Sequence, residues 1–177
     1  MPVARVFATT DAPPGLLSGI RRLLDAAFEG TFTDEDWDHT LGGWHAVVRE
    51  DERPLAHAAV VPRTLEVAGR RLRGGYVEGV ASAPDRQREG LGSLAMLRLM
   101  AVLRSRFEVG ALSTERHAFY ARLGWERWAG PTYVRQGERR LRTAEEDDGI
   151  MVLRFGPSRH LALDAEIACR ARTGDDW

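Results

Sequence analysis

The residues with most to say about chemistry lie between Tyr76 and Leu94. There a strand-like stretch runs into a turn and then a glycine-punctuated helix start, Gln87-Arg88-Glu89-Gly90-Leu91-Gly92-Ser93. Gly90 and Gly92 carry no Cβ, so backbone amides from Gln87 to Ser93 can close around an anion at the helix N-terminus. Unpaired N–H groups and the helix dipole both favour phosphate at such a place. Arg86 and Arg88 would add charge-assisted contacts to a diphosphate. The same two glycines also suit a plain tight turn. The GxGxxG spacing of a dinucleotide site and the GK[ST] of a Walker loop are both missing.

Acids gather in three places: Asp34, Glu35, Asp36 and Asp38; Glu145 to Asp148; and Asp175, Asp176 with the carboxylate of Trp177. Any one such run is ordinarily a solvated face or a helix cap, and Asp36 stands three residues after Thr33, the spacing of a capping box. Three of them in a chain of net charge −1 suit a polycationic ligand better than a neutral one.

Other chemistries are excluded by composition. All 25 basic residues are arginine, which rules out a lysine Schiff base. The five histidines (His39, His45, His57, His117, His160) show no HxxxH spacing, so no metal is expected. Ser113 lacks sequence partners for a triad, and the one cysteine, Cys169, reads as a small buried hydrophobe. It cannot form an internal disulfide, so a reducing cytoplasm is expected. Near-neutral charge argues against nucleic acid, and no apolar run approaches a membrane span or signal peptide.

The elements that must position these residues read as one mixed α/β domain over 1–177. Val3–Ala8 alternates as a strand, and Leu16–Phe28 carries apolar residues at helical spacing. Thr33 caps a short helix, with Phe32 stapling onto Trp37. Trp44–Arg49 and Leu55–Val61 form strands across Glu50–Arg53, Thr64–Leu72 a hairpin through Ala68-Gly69, and Gly75–Ala81 another strand. Gly92–Leu103 is a long apolar helix, Val109–Leu112 a buried strand, and Arg116–Leu123 a helix ending at Gly124. Trp125–Val134 and Ile150–Phe155 are late strands around the polar stretch Gln136–Gly149. Leu161–Cys169 fits either strand or helix. Trp37, Trp44, Trp125 and Trp128 read mainly as core.

Gln87-x-x-Gly90-x-Gly92 after Val80-Ala81-Ser82, with this order of elements, resembles the pyrophosphate loop and fold of the GNAT acetyltransferases, which use acetyl-CoA. A narrower resemblance, to the aminoglycoside 2′-N-acetyltransferases, rests on several segments. They are Phe32-Thr33-x-x-Asp36-Trp37-x-His39-Thr40-Leu41-Gly42-Gly43, Gly75-Tyr76-Val77-Glu78-Gly79-Val80-Ala81, Leu112-Ser113, Tyr120-Ala121-x-x-Gly124-Trp125, Asp147-Asp148-Gly149 and Gly174-Asp175-Asp176-Trp177. Together they span residues 28–177. The resemblance implies a mostly antiparallel central sheet splayed around acetyl-CoA, with helices on both faces, and a homodimer.

Acetyl transfer requires a held thioester, a neutralised amine and a protonated leaving thiolate. The resemblance implies that Val80, Ala81 and Ser82 meet the thioester and that Gln87, Arg88, Glu89, Gly90, Leu91 and Gly92 grip the diphosphate. Glu78 is then the candidate base, directly or through water, or else an outward-facing strand carboxylate. Tyr120, placed by the resemblance near the coenzyme sulfur, is the candidate acid, or else a core residue. Asp36, Glu78, Gly79, Ser113, Asp147, Asp175 and the carboxylate of Trp177 are implied as substrate contacts. The chain departs from its relatives at Thr31, where they carry an acid before Phe-Thr. Two other readings fit the same residues: acetylation of a different metabolite, cell-wall amine or peptide, and a non-catalytic coenzyme A or polyamine sensor.

Overall fold

Alternating side chains from Val3 and from Trp44 build two antiparallel strands, β1 (Val3–Ala8) and, after two helices, β2 (Trp44–Glu50), in register from Val3 opposite Arg49 to Ala8 opposite Trp44. The computed structural model describes residues 1–177, which gather into two units, Met1–Val61 with Val77–Val102 and Pro62–Tyr76 with Leu103–Trp177.

In the first unit, α1 (Leu16–Ala27) follows β1 and presents Ile20, Leu23 and Leu24 to the interior. Ile20, Leu24 and Val47 form a small core, on which Phe7, Leu16, Phe32, Trp37 and Ala81 pack. Each fully buried side chain of this size contributes about 1.5–3 kcal/mol. The next helix, α2 (Asp34–His39), begins with the expected capping box: the Asp36 amide donates to Thr33 Oγ1 at 3.1 Å, and the Thr33 amide donates to Asp36 Oδ2 at 2.8 Å.

β2 turns into β3 (Arg53–Val67), which turns at Ala68-Gly69 into β4 (Arg70–Ser82). The sequence reading divided each of these long strands in two. The first gap falls at Pro62 and Arg63, where β2 pairs with β3 only as far as Val60 and β10 takes up the pairing at Leu65. Pro62 lies between these two stretches of pairing. The second gap falls at Arg73 and Gly74, just before Gly75. A Cβ on Gly75 would lie 2.4 Å from Leu103 Cδ2, so this glycine permits close packing and the strand runs straight through. The first unit ends with α3 (Leu91–Arg106) as far as Val102.

In the second unit the remaining elements are β5 (Val109–Ser113), α4 (His117–Ala121), β6 (Glu126–Arg127), β7 (Thr132–Gln136), β8 (Arg139–Arg142), β9 (Ile150–Arg154) and β10 (Ile167–Arg170). The strand order is β6-β9-β5-β4-β3-β10-β7-β8. Two contacts are parallel: β4 with β5, over Gly74–Tyr76 against Val109–Ala111, and β10 with β7. The antiparallel contacts β5–β9, β6–β9, β3–β10 and β7–β8 outnumber them. Ile150, Met151, Val152 and Leu153 of β9 are all buried, as an interior strand requires. Two late elements differ from the sequence reading. Trp125–Val134 divides into β6 and β7, and the polar stretch contains the edge strand β8. Leu161–Cys169 resolves into an irregular turn up to Glu166 and then β10, preceded by a 3₁₀ turn at Gly156–His160.

Candidate active site

β4 is regular until Val77 and then changes character. Gly74–Val77 are buried, whereas Glu78, Gly79, Val80, Ala81 and Ser82 are uniformly half-exposed. A strand covered on one face would alternate in burial; this run does not. The change coincides with Gly79, whose φ of +58° is left-handed. A side chain there would be strained, and its Cβ would stand 2.9 Å from Thr40 Cγ2.

Beyond β4, Pro84–Arg86 forms one 3₁₀ turn and the loop reaches α3. Arg88 (φ 68°) and Gly90 (φ 78°) are both left-handed, the kind of backbone from which anion-binding nests are built. The first intrahelical bond from this end is Leu94 N–H to Gly90 C=O at 3.0 Å, which leaves the amides of the first turn without helical acceptors. No acid occupies that turn. Gln87, Arg88, Glu89 and Gly90 are exposed, Gly92 half-buried and Leu91 buried. The loop can therefore hold a diphosphate on main chain. Arg86, expected to assist, is instead bound to Glu89 at 2.7 Å and Glu50 at 3.2 Å, so Arg88 is the cation left to the loop. Asp36, also in this unit, has one oxygen occupied by its cap.

The second unit holds the other expected residues. Tyr120 lies in α4 with its ring edge-on to Phe119 and Trp125, and burial pushes its phenol up to about 12. It is protonated at any physiological pH. Its carbonyl accepts from the amides of Leu123 and Trp125, closing the turn at Gly124.

Ser113 ends β5 opposite Ile150, the first residue of β9. Its hydroxyl donates to Glu146, whose carboxyl is raised above the usual range by burial and by the charges of Asp175 and Glu145. Asp147, the expected contact, faces another task. It is paired with Arg142, accepts from the Thr132 amide at 3.0 Å and Thr132 Oγ1 at 2.9 Å, and the Arg142 bond holds it down at about 2. Glu146, the neighbour of Asp147, is thus the acid that stands with Ser113 and Asp175. Trp177 is buried, with its indole donating to Thr143 Oγ1 at 3.2 Å and its amide to Asp175 Oδ1 at 3.3 Å. Arg63 secures the same segment through the Asp176 carbonyl at 2.7 Å. Cys169 is buried, its thiol pushed up to about 11 by desolvation, and is no nucleophile.

A pair of histidines in the first unit was also missed. His45 and His57 are both fully buried, and burial lowers them to about 4 and about 3. His45 lies opposite Ala59, two residues from His57, so the two rings share a face diagonally. The signal was available in the hairpin register, but a bulge between Val48 and Arg49 obscures the count.

Comparison with known proteins agrees with this geometry. Residues 11–128 match the acetyltransferase (GNAT) domain family. An aminoglycoside 2′-N-acetyltransferase of Mycolicibacterium fortuitum is 43% identical over 98% of this chain and 91% of its own length. Among solved structures, a GNAT family N-acetyltransferase of Escherichia coli in complex with CoA aligns over 95% of this chain and 89% of its own, with a TM-score of 0.68 at 17% identity. A Brucella melitensis GNAT acetyltransferase in complex with acetyl-CoA gives 0.63 at 20% identity over 94% and 95%. A further similar structure, a probable N-acyltransferase of Enterococcus faecalis, is longer, and the chain spans 33% of it. The fold, the open stretch of β4 and the nearly full-length relative agree: the chain belongs to the GNAT acetyltransferases, in the family of the aminoglycoside 2′-N-acetyltransferases.

Proposed function

We propose that this protein transfers acetyl from acetyl-CoA to the 2′-amine of aminoglycosides and so confers resistance to them. The observation that carries this reading is the 43% identity over 98% of the chain to a relative of that activity. We take residues 1–177 to work as one acetyltransferase domain.

Bound acetyl-CoA supplies an activated acetyl thioester. The amides around Arg88 and Gly90 hold its diphosphate, and the amides of Val80, Ala81 and Ser82 orient its carbonyl. An aminoglycoside amine arrives as an ammonium ion, so Glu78 removes a proton directly or through a water before attack. Tyr120 donates its phenolic hydrogen towards the departing sulfur. Its elevated value keeps that hydrogen in place until negative charge develops.

Substrate ammonium groups are met by Asp36, Glu146 and Asp175, with Ser113, Gly79 and Trp177 setting register. A cation beside Glu146 would restore the charged carboxylate that burial and its acidic neighbours now disfavour. Asp147 shapes this region by bracing Thr132. Each well-formed carboxylate–ammonium bond is worth about 1.5–3 kcal/mol.

We place the enzyme in the cytoplasm as a homodimer. The apolar late strand β9 is buried within its own unit, so a dimer contact would use another surface.

The test is release of free coenzyme A thiol with kanamycin B and with kanamycin A, which carry an amine and a hydroxyl respectively at the 2′ position. Release with kanamycin B alone is the expected result. Equal turnover with both would move the target amine elsewhere, and silence with both would favour a metabolite enzyme or a sensor.

A further inference from the structure

The two buried histidines form a hydrogen-bonded line with one possible direction. The Gly79 carbonyl can only accept, so the His57 nitrogen 2.7 Å away, Nδ1, carries the proton. A neutral His57 then offers Nε2 as an acceptor, and His45 Nδ1, 3.0 Å distant, must donate to it. His45 Nε2 is left to accept from the Thr9 hydroxyl at 2.8 Å, closer than that hydroxyl's other acceptor, the Gly43 carbonyl at 3.3 Å, and Thr9 Oγ1 accepts from the Gly42 amide at 3.1 Å. Every donor meets an acceptor, and neither ring needs a second proton.

The line ends at the place where β4 departs from regular geometry. Gly79 is left-handed, and the His57 ring and Thr40 pack against it, 3.5 and 2.9 Å from where a Cβ would stand. A left-handed residue inside a strand persists only when its surroundings over-determine it. Here the ring packs on one side of the kink and binds its carbonyl as well.

We infer that His57 is a positioning residue. Its Nδ1–H bond to the Gly79 carbonyl fixes the kink of β4, and the kink sets the aim of Glu78 on one side and of the Val80–Ser82 amides on the other. His45 and Thr9 serve by imposing the required tautomer on His57. This rests on the reading that Glu78 and those amides carry the transfer, and it adds a residue that touches no substrate.

Asparagine and glutamine at position 57 separate the two ring nitrogens, because the amide of asparagine occupies the place of Nδ1 and that of glutamine the place of Nε2. His57→Asn keeps the Gly79 bond and loses His45; His57→Gln does the reverse. Each variant loses one buried bond, so a merely structural role would damage both alike. The expected result is a kcat for His57→Asn within threefold of wild type and a drop of at least tenfold for His57→Gln. The KM for acetyl-CoA should stay within twofold in both, since the diphosphate loop is untouched. Equal losses, no loss in His57→Gln, or a greater loss in His57→Asn would overturn the inference.

Nitrogen-15 spectroscopy of the wild-type imidazoles is an independent check that needs no turnover. Both rings should show the Nδ1–H tautomer, and an Nε2–H tautomer at His57 would overturn the inference. If wild-type protein released no coenzyme A, the transfer reading would fall, and the tautomer alone would decide whether Gly79 is held as described.

Discussion

Acidification should unfold this protein through its buried histidines, and the size of the effect follows from their environment. In the fold, His45 sits near 4 and His57 near 3, both lowered chiefly by burial, against about 6.5 in an unfolded chain. The lowered value means that the fold favours the neutral ring. Above pH 6.5 both states are neutral and stability is complete. Below it the unfolded chain takes up protons that the fold refuses, and stability falls until the folded values are reached. At pH 5 each ring costs about 2 kcal/mol by this linkage, and about 4 kcal/mol together. That is a large share of the roughly 5–15 kcal/mol that holds a domain. Glu146 acts in the opposite sense. Its raised carboxyl destabilises the fold at high pH, and the penalty is relieved as pH falls through its folded value. Asp147, held near 2, keeps its contribution above pH 4 and loses it only as pH falls through that value. Urea titrations followed by tryptophan fluorescence at pH 8, 6 and 5 should show a midpoint that falls between 6 and 5. A midpoint unchanged to pH 5 would refute the neutral, buried pair.

Further substitutions test the proposed roles. Gly79→Ala places a side chain at a left-handed position 2.9 Å from Thr40 and should cost about 2–4 kcal/mol, read as a lower urea midpoint, with kcat reduced more than any KM. Tyr120→Phe retains the ring contacts with Phe119 and Trp125 and should leave stability nearly unchanged while lowering kcat about a hundredfold. Unchanged turnover would remove Tyr120 from the acid role. Glu146→Gln should raise the KM for kanamycin B about tenfold or more without loss of stability, since its charge is disfavoured in the free protein. Asp147→Asn should do the reverse, weakening the Arg142 and Thr132 bonds and lowering the urea midpoint with little change in KM. The opposite pattern in these two variants would return Asp147 to the substrate.

Local chemistry was legible in the sequence where a short-range rule governs it. The Thr33–Asp36 box, the start of α1 and the Ala68-Gly69 hairpin all follow from residues within a few positions of one another. The glycine loop was visible for the same reason. The continuity of β4 through Arg73 and Gly74 was not legible because Leu65, which packs where a Cβ on Gly74 would stand, is distant in sequence. β8 was hidden because an edge strand carrying charge on both faces has no apolar alternation, and Arg140 finds its partners in the Tyr133 ring and Glu166. Glu146 and the histidine pair depend on register between strands. Counting charges in a segment does not reveal which acid turns towards Ser113.

The central claim is transfer to one particular nitrogen. Purified protein should be given acetyl-CoA and kanamycin B, and the product mapped by two-dimensional proton–carbon NMR. A single acetyl amide on the 2′ nitrogen is the predicted result, and an acetyl group on any other amine, or no acetylated product, would contradict the account.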